Sequence, residues 1–153
     1  MKTNFERGQL NAQDDLNENF IEIENNFKKN DQTNIATITL ATSNTTDFTP
    51  ESKVIFQRWG QMVVANLYIE NKLANFAGWK NLVQFPEGFH PSSMNTWGGA
   101  LANKTNRNPA LTVYANASGI QVMAPTNTLP AEQECCGTII YFTNDPFPEN
   151  KTN

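Results

Sequence analysis

Residues 54–69 read Val-Ile-Phe-Gln-Arg-Trp-Gly-Gln-Met-Val-Val-Ala-Asn-Leu-Tyr-Ile, and this stretch decides the fold. Val54-Ile55-Phe56 is a short apolar run. Arg58-Trp59-Gly60-Gln61 has the look of a tight hairpin turn, and Met62 to Ile69 is a strong strand. Outward from this unit the same grammar continues. Ala77-Gly78-Trp79, Pro86-Glu87-Gly88 and Trp97-Gly98-Gly99 mark loops. Leu111 to Ala115 and Ile120 to Met123 flank Asn116-Ala117-Ser118-Gly119 as a hairpin, and Gly137 to Thr143 is the last strand. Short strands at such intervals predict a sandwich or a small barrel. In Met62–Ile69 and Thr138–Thr143, both alternating faces carry apolar side chains. A sheet packed on one side only alternates cleanly. Two apolar faces therefore predict a barrel whose outer surface is partly covered, as by a neighbouring subunit.

Upstream, residues 31–53 read as a connector with one short strand, in which Ala36, Ile38 and Leu40 alternate with Thr37 and Thr39. Residues 11–30 carry the one convincing helical period. Leu16, Phe20, Ile23 and Phe27 are spaced four, three and four, a narrow coiled-coil stripe. Asn11 suits the N-cap, Asp14 and Asp15 suit the first turn, and Lys28 and Lys29 suit the last. A helix of this length is marginal alone in water. It is terminal and followed by a polar stretch, so the stripe is expected to pack against copies from other chains.

Composition narrows the function classes. The chain has 153 residues, with 39% hydrophobic and 17% charged, and Asn and Thr fill the difference. Ten Phe, three Trp and three Tyr still supply a core. The net charge of −4 argues against sequence-independent nucleic-acid or anionic-membrane binding. No run approaches a membrane span, and the opening MKTNFERGQL lacks the apolar stretch of a secretory signal, so folding in a cytoplasm is expected. The two cysteines, Cys135 and Cys136, are adjacent, which disfavours a disulfide between them, and they are too few for a zinc site.

Little in the chain points to catalysis. His90 is the single histidine, and a histidine metal site wants several ligands. No Gly-x-Ser-x-Gly elbow and no phosphate-cradling glycine loop is present. The carboxylates of the β part are scattered, and a glycosidase needs two across a cleft. The expectation is no enzyme, no metal and no cofactor. Tryptophan is more informative. Trp59, Trp79 and Trp97 lie at or beside glycine turns. For Trp59 a core or interface anchor is the better reading. A ring on a loop, with amides and hydroxyls nearby, is what sugar recognition uses. The stretch from Asn95 to Asn108 is rich in such groups, and Arg107 there could meet a phosphate or carboxylate.

These pieces carry a resemblance. Arg7-Gly8, followed by Asp14-Asp15-Leu16-Asn17-Glu18-Asn19-Phe20, resembles the N-terminal shoulder of receptor-binding proteins on the baseplates of tailed phages of lactic-acid bacteria. Gly60-Gln61-Met62-Val63-Val64, Gln84-Phe85-Pro86-Glu87-Gly88-Phe89-His90-Pro91, Gly119-Ile120-Gln121-Val122 and Gly137-Thr138-Ile139-Ile140-Tyr141-Phe142 are similar, in the same order, to pieces of their head domains. The resemblance implies a homotrimer, a mainly β chain with a short N-terminal α-helix in a trimeric bundle, and a C-terminal antiparallel β-barrel or sandwich head. The expected segments are 1–30 for the shoulder, 31–53 for the connector and 54–153 for the head. The implied partners are a baseplate protein docked by the helix and a host cell-surface saccharide or phospho-polysaccharide. The implied place is the virion tail. The strand before the hairpin would supply Thr112 and Tyr114. The full candidate binding set is thus Trp79, Trp97, Asn95, Arg107, Thr112, Tyr114 and His90, with Leu16, Phe20, Ile23 and Phe27 for trimerisation. The rival expectations are a structural virion fibre or baseplate protein without a sugar site, and a small glycan-cleaving enzyme.

Overall fold

A computed structural model of the chain describes residues 12–30, 35–74, 76–93, 97–124 and 129–148, without the side chains of residues 12, 26–30 and 97. The chain divides into two compact units, Met1–Asn34 and Ile35–Asn153.

In the first unit, helix α1 spans Ala12–Asn30 and carries Asp14 and Asp15 in its first turn, where carboxylates complement the helix dipole. Its stripe is open. Leu16 is 44% and Phe20 66% exposed, Ile21 beside them is also exposed, and Ile23 is half-buried. The expected N-cap Asn11, and the side chains of Phe27, Lys28 and Lys29, lie outside the described residues. Among the described residues no helix is long and apolar enough to cross a membrane.

The second unit is mainly β. Its strands are β1 Ile35–Ala41, β2 Lys53–Trp59, β3 Met62–Glu70, β4 Lys80–Gln84, β5 Trp97–Asn103, β6 Pro109–Ala115, β7 Gly119–Met123 and β8 Glu134–Phe142. They form one antiparallel sheet in the order β1-β2-β3-β8-β5-β6-β7-β4, curled into a nearly closed barrel. Side chains help to bring its two ends together. The Thr42 hydroxyl donates to the Leu82 carbonyl at 2.9 Å, and the Asn44 amide donates to the Asn81 carbonyl at 3.0 Å. Both acceptors lie on β4, an end strand of the order, and both donors follow β1, the other end. Capping an open edge in this way removes free carbonyls that would otherwise invite strand pairing.

Three elements differ from the sequence reading. The strand of the connector is β1, paired with β2 over its whole length, so the sheet begins at Ile35 rather than after residue 53. Trp97-Gly98-Gly99 opens β5 instead of marking a loop. Its glycine is needed for close approach, since a Cβ on Gly99 would sit 2.8 Å from Ile139 Cγ2. Strand β4 had no period-two signal, because a bulge between Asn81 and Val83 buries Leu82 and Val83 in succession.

The interior is aromatic. Phe85 stands edge-on to Phe56 and Tyr141, with ring centroids 6.1 and 5.8 Å apart. The buried Tyr141 hydroxyl donates to the Phe89 carbonyl at 2.6 Å. Arg58 is the buried cation at this end of the barrel. Its Nε donates to the Gly60 carbonyl, its Nη1 to those of Gly88 and Pro146, and its Nη2 to that of Asp145. One guanidinium thus ties the β2–β3 turn, the loop after β4 and the C-terminal tail together. Burial pulls its pKa down, and the neighbouring Asp145 works against that pull.

The outer face is uneven. Strand register places Ile35, Trp59, Met62 and Phe142 side by side across β1, β2, β3 and β8, with Val64 and Ile140 in the next row but one. Phe142 and Ile140 are 57% and 56% exposed, and Ile35 and Met62 are exposed as well. The apolar outer positions of Met62–Ile69 and Thr138–Thr143 therefore form one patch, with Ile35 and Trp59, at one end of β1, β2, β3 and β8.

Candidate functional site

The remaining strands have different chemistry. On β6 the alternation buries Leu111, Val113 and Ala115 and turns Thr112 and Tyr114 outward. The Asn116–Gly119 hairpin fixes the register of β7. The Asn116 side chain accepts from the backbone N–H groups of Ser118 and Gly119, and Gly119 fits because a Cβ there would collide with the Val83 carbonyl. Tyr114 thereby stands opposite Gln121, Gln121 opposite Asn81 of β4, and Gly98 of β5 on the other side of Tyr114.

Trp79 completes the arrangement. Gly78 adopts a left-handed φ of 68° and delivers the chain into β4. The Trp79 ring then lies 5.4 Å from that of Tyr114 at an interplanar angle of 50°. Trp79 remains 45% exposed although it is large and apolar. The Gln121 side-chain amide donates to Asn81 Oδ1 at 2.6 Å, which orients both amides. The hydroxyls of Tyr114 and Thr112 have no protein partner among the described residues. Among the described residues, chain neighbours aside, a Cβ on Gly98 would meet nothing within 4 Å. Two tilted rings, two oriented amides and two hydroxyls without a partner among the described residues can stack on and hydrogen-bond to a small polar ligand.

Of the sequence candidates, the structure brings Trp79, Thr112 and Tyr114 to this platform. Trp97 pairs with Ala115 in register, but its side chain lies outside the described residues, as does all of Asn95. Arg107 sits on the β5–β6 turn with a φ of 61°, its backbone N–H bonded to the Asn103 carbonyl. His90 lies at the Arg58 end of the barrel. Its ring Nδ1 is 2.8 Å from Asp145 Oδ2, which also accepts from the His90 backbone N–H at 2.9 Å. Gln121 and Asn81 were missed by sequence reasoning. Their signal was the hairpin itself, because its register puts Gln121 against Tyr114.

Other titratable groups of the sheet are tied to structure or to burial. Lys104 Nζ meets Glu134 Oε2 at 2.5 Å. Burial first, and Glu134 second, push the Tyr68 phenol up to about 12. Cys135 and Cys136 are free thiols on β8. Burial pushes the first up to about 12 and raises the second, so neither is a nucleophilic thiolate near neutrality. Among the described residues no group of three or more His, Cys, Asp or Glu could hold a metal ion.

The His90–Asp145 pair sets an acid limit. Burial pulls the Asp145 carboxyl up, but the hydrogen bonds from His90 outweigh it and leave the group below its ordinary 3.8. A depressed carboxylate stabilises the fold above its ordinary value, and that contribution is lost as pH falls through the folded one. Urea midpoints are expected to drop as pH falls below about 4. Asp145→Asn is expected to flatten this part of the profile while lowering stability at neutral pH. A variant profile parallel to that of the parent would refute the assignment.

No family model matches the chain, and no curated protein and no solved structure matches it.

Proposed function

We propose that this protein is a non-catalytic adhesin head that binds saccharide on a bacterial cell surface and works as a homotrimer. The observation that carries the reading is the Trp79–Tyr114 platform, with Trp79 45% exposed and the hydroxyls of Tyr114 and Thr112 without a partner among the described residues. Exposed rings flanked by amides match the amphipathic faces of a pyranose. Asp47, the carboxylate joined to β4, is engaged by Lys80 and Asn44, which favours holding a sugar over cleaving it.

The exposed Leu16 and Phe20 of α1 and the apolar patch on β1, β2, β3 and β8 support self-association. Both leave large side chains in water that a neighbouring copy could cover. Weak single sites gain by this, since several heads engaged at once convert low affinity into avidity. A phage tail or baseplate is the setting that fits such a protein, with the helix unit as the part that docks to a baseplate protein.

Trp79→Ala tests the binding reading. Loss of one stacking contact is expected to weaken each head by about 1 kcal/mol, or roughly fivefold. With three heads engaged, retention on an array of bacterial glycans is expected to fall by about a hundredfold. The urea midpoint should stay near that of the parent, because the ring is half in solvent. A chain that retains no glycan, or one whose retention ignores this substitution, overturns the proposal.

A further inference from the structure

We infer that the platform takes an uncharged sugar, a neutral hexopyranose or N-acetylhexosamine, and not a phosphate- or carboxylate-bearing one. This rests on the saccharide reading above and deepens it to a ligand class.

The first ground is the absence of charge in the sequence around the site. Residues 91–103 and 108–131 contain no Asp, Glu, Lys, Arg or His. They include β5, β6, β7, the β6–β7 hairpin and the segment after β7 as far as Ala131, but not the short β5–β6 turn. The statement therefore holds for the chain itself, whatever its conformation.

The second ground is the pairing of the nearest cation. Lys80 precedes Asn81 on β4, but its Nζ lies 3.7 Å from Asp47 Oδ1. Asp47 is fixed in turn by the Asn44 amide at 2.8 Å. An incoming phosphate would have to compete with a carboxylate already in place. The exposed Arg107 sits beyond Pro109, and Pro109 to Tyr114 spans about 17 Å at the rise of an extended strand.

The third ground is the kind of donor on offer. Recognition of an anion uses guanidinium or ammonium groups, or a nest of free backbone N–H groups. From Thr112 to Ala115 on β6, and from Ile120 to Val122 on β7, the backbone pairs with a neighbouring strand on both sides. What remains is neutral: the hydroxyls of Tyr114 and Thr112 and the amides of Asn81 and Gln121. Such groups pair with sugar hydroxyls and with an acetamido group. The chain's net charge of −4 further disfavours polyanions at low salt.

An array carrying neutral, phosphate-bearing and uronate-bearing bacterial glycans tests this with the full-length protein. Retained glycans are expected to be neutral and to need Trp79. Their signal is expected to change by no more than about twofold on adding about 0.5 M NaCl, because uncharged contacts are not screened. Arg107→Ala is expected to leave the pattern in place. Retention confined to anionic glycans, a fall of about tenfold in salt, or loss of binding in Arg107→Ala would overturn the class assignment while leaving Trp79-dependent binding intact. Retention of nothing, or retention indifferent to Trp79→Ala, would remove the saccharide reading itself and the class with it.

Discussion

Arg58→Ala is expected to be the most damaging single substitution in the β unit, at about 4 kcal/mol. The side chain is 3% exposed and donates to four backbone carbonyls on three separate segments. Removing it orphans those acceptors, and a buried unsatisfied group costs about 1–3 kcal/mol. Water entering the vacated space offsets part of that, so the total is set below the full sum. A drop of this size moves a urea midpoint by about 2 M at the slope of a small domain. The Phe147 ring, 5.0 Å from the guanidinium, would lose its cation as well. Arg58→Lys is expected to recover little, because an ammonium is a point charge and cannot fork to four carbonyls. A midpoint for Arg58→Ala close to that of the parent would show that the three segments hold together without the clasp.

The second large effect concerns assembly. Phe20→Asp and Phe142→Asp are each expected to reduce the particle to the 17.1 kDa of a single chain. Sedimentation should read about three times that mass for the parent. Phe20 is 66% exposed on the helix, and Phe142 opens the apolar patch on the sheet. In a trimer each substitution would bury three carboxylates with no partner, at several kcal/mol apiece. The pair of variants separates the two surfaces. Dissociation by Phe20→Asp alone would confine the interface to the helices. A parent that sediments as one chain would end the trimeric account.

Much of the fold was legible because its strands obey simple periods. The stretch Val54–Ile69 forms the β2–β3 hairpin in the structure, with Gly60 left-handed at its turn. The helix was legible from four apolar residues at coiled-coil spacing. Strand β4 was not, since its bulge breaks the alternation that marks a strand. Strand β5 was hidden by Gly98-Gly99, a pair with the composition of a turn. Glycine there serves the approach of Ile139, and a contact between residues 40 positions apart leaves no local trace.

The platform was half legible. A tryptophan beside a glycine turn drew attention to Trp79, and the family resemblance, through the strand before the hairpin, to Thr112 and Tyr114. Asn81 and Gln121 did not stand out in a chain with 22 asparagines. Arg107 and His90 looked suitable by residue type, yet they occupy a turn and a loop at the ends of the strands. Chemical type names the candidates, and only register decides which of them meet.

The strand order β1-β2-β3-β8-β5-β6-β7-β4 keeps the greasy rows on its first four members and the ring-and-amide cluster on its last four. On the proposed reading, substitutions that retune what is gripped fall on different strands from those that hold siblings together. On that same reading, a lineage that switches hosts can rewrite Thr112, Gln121 or Asn81 without renegotiating its own quaternary contacts, so tolerance to change is concentrated where novelty is useful.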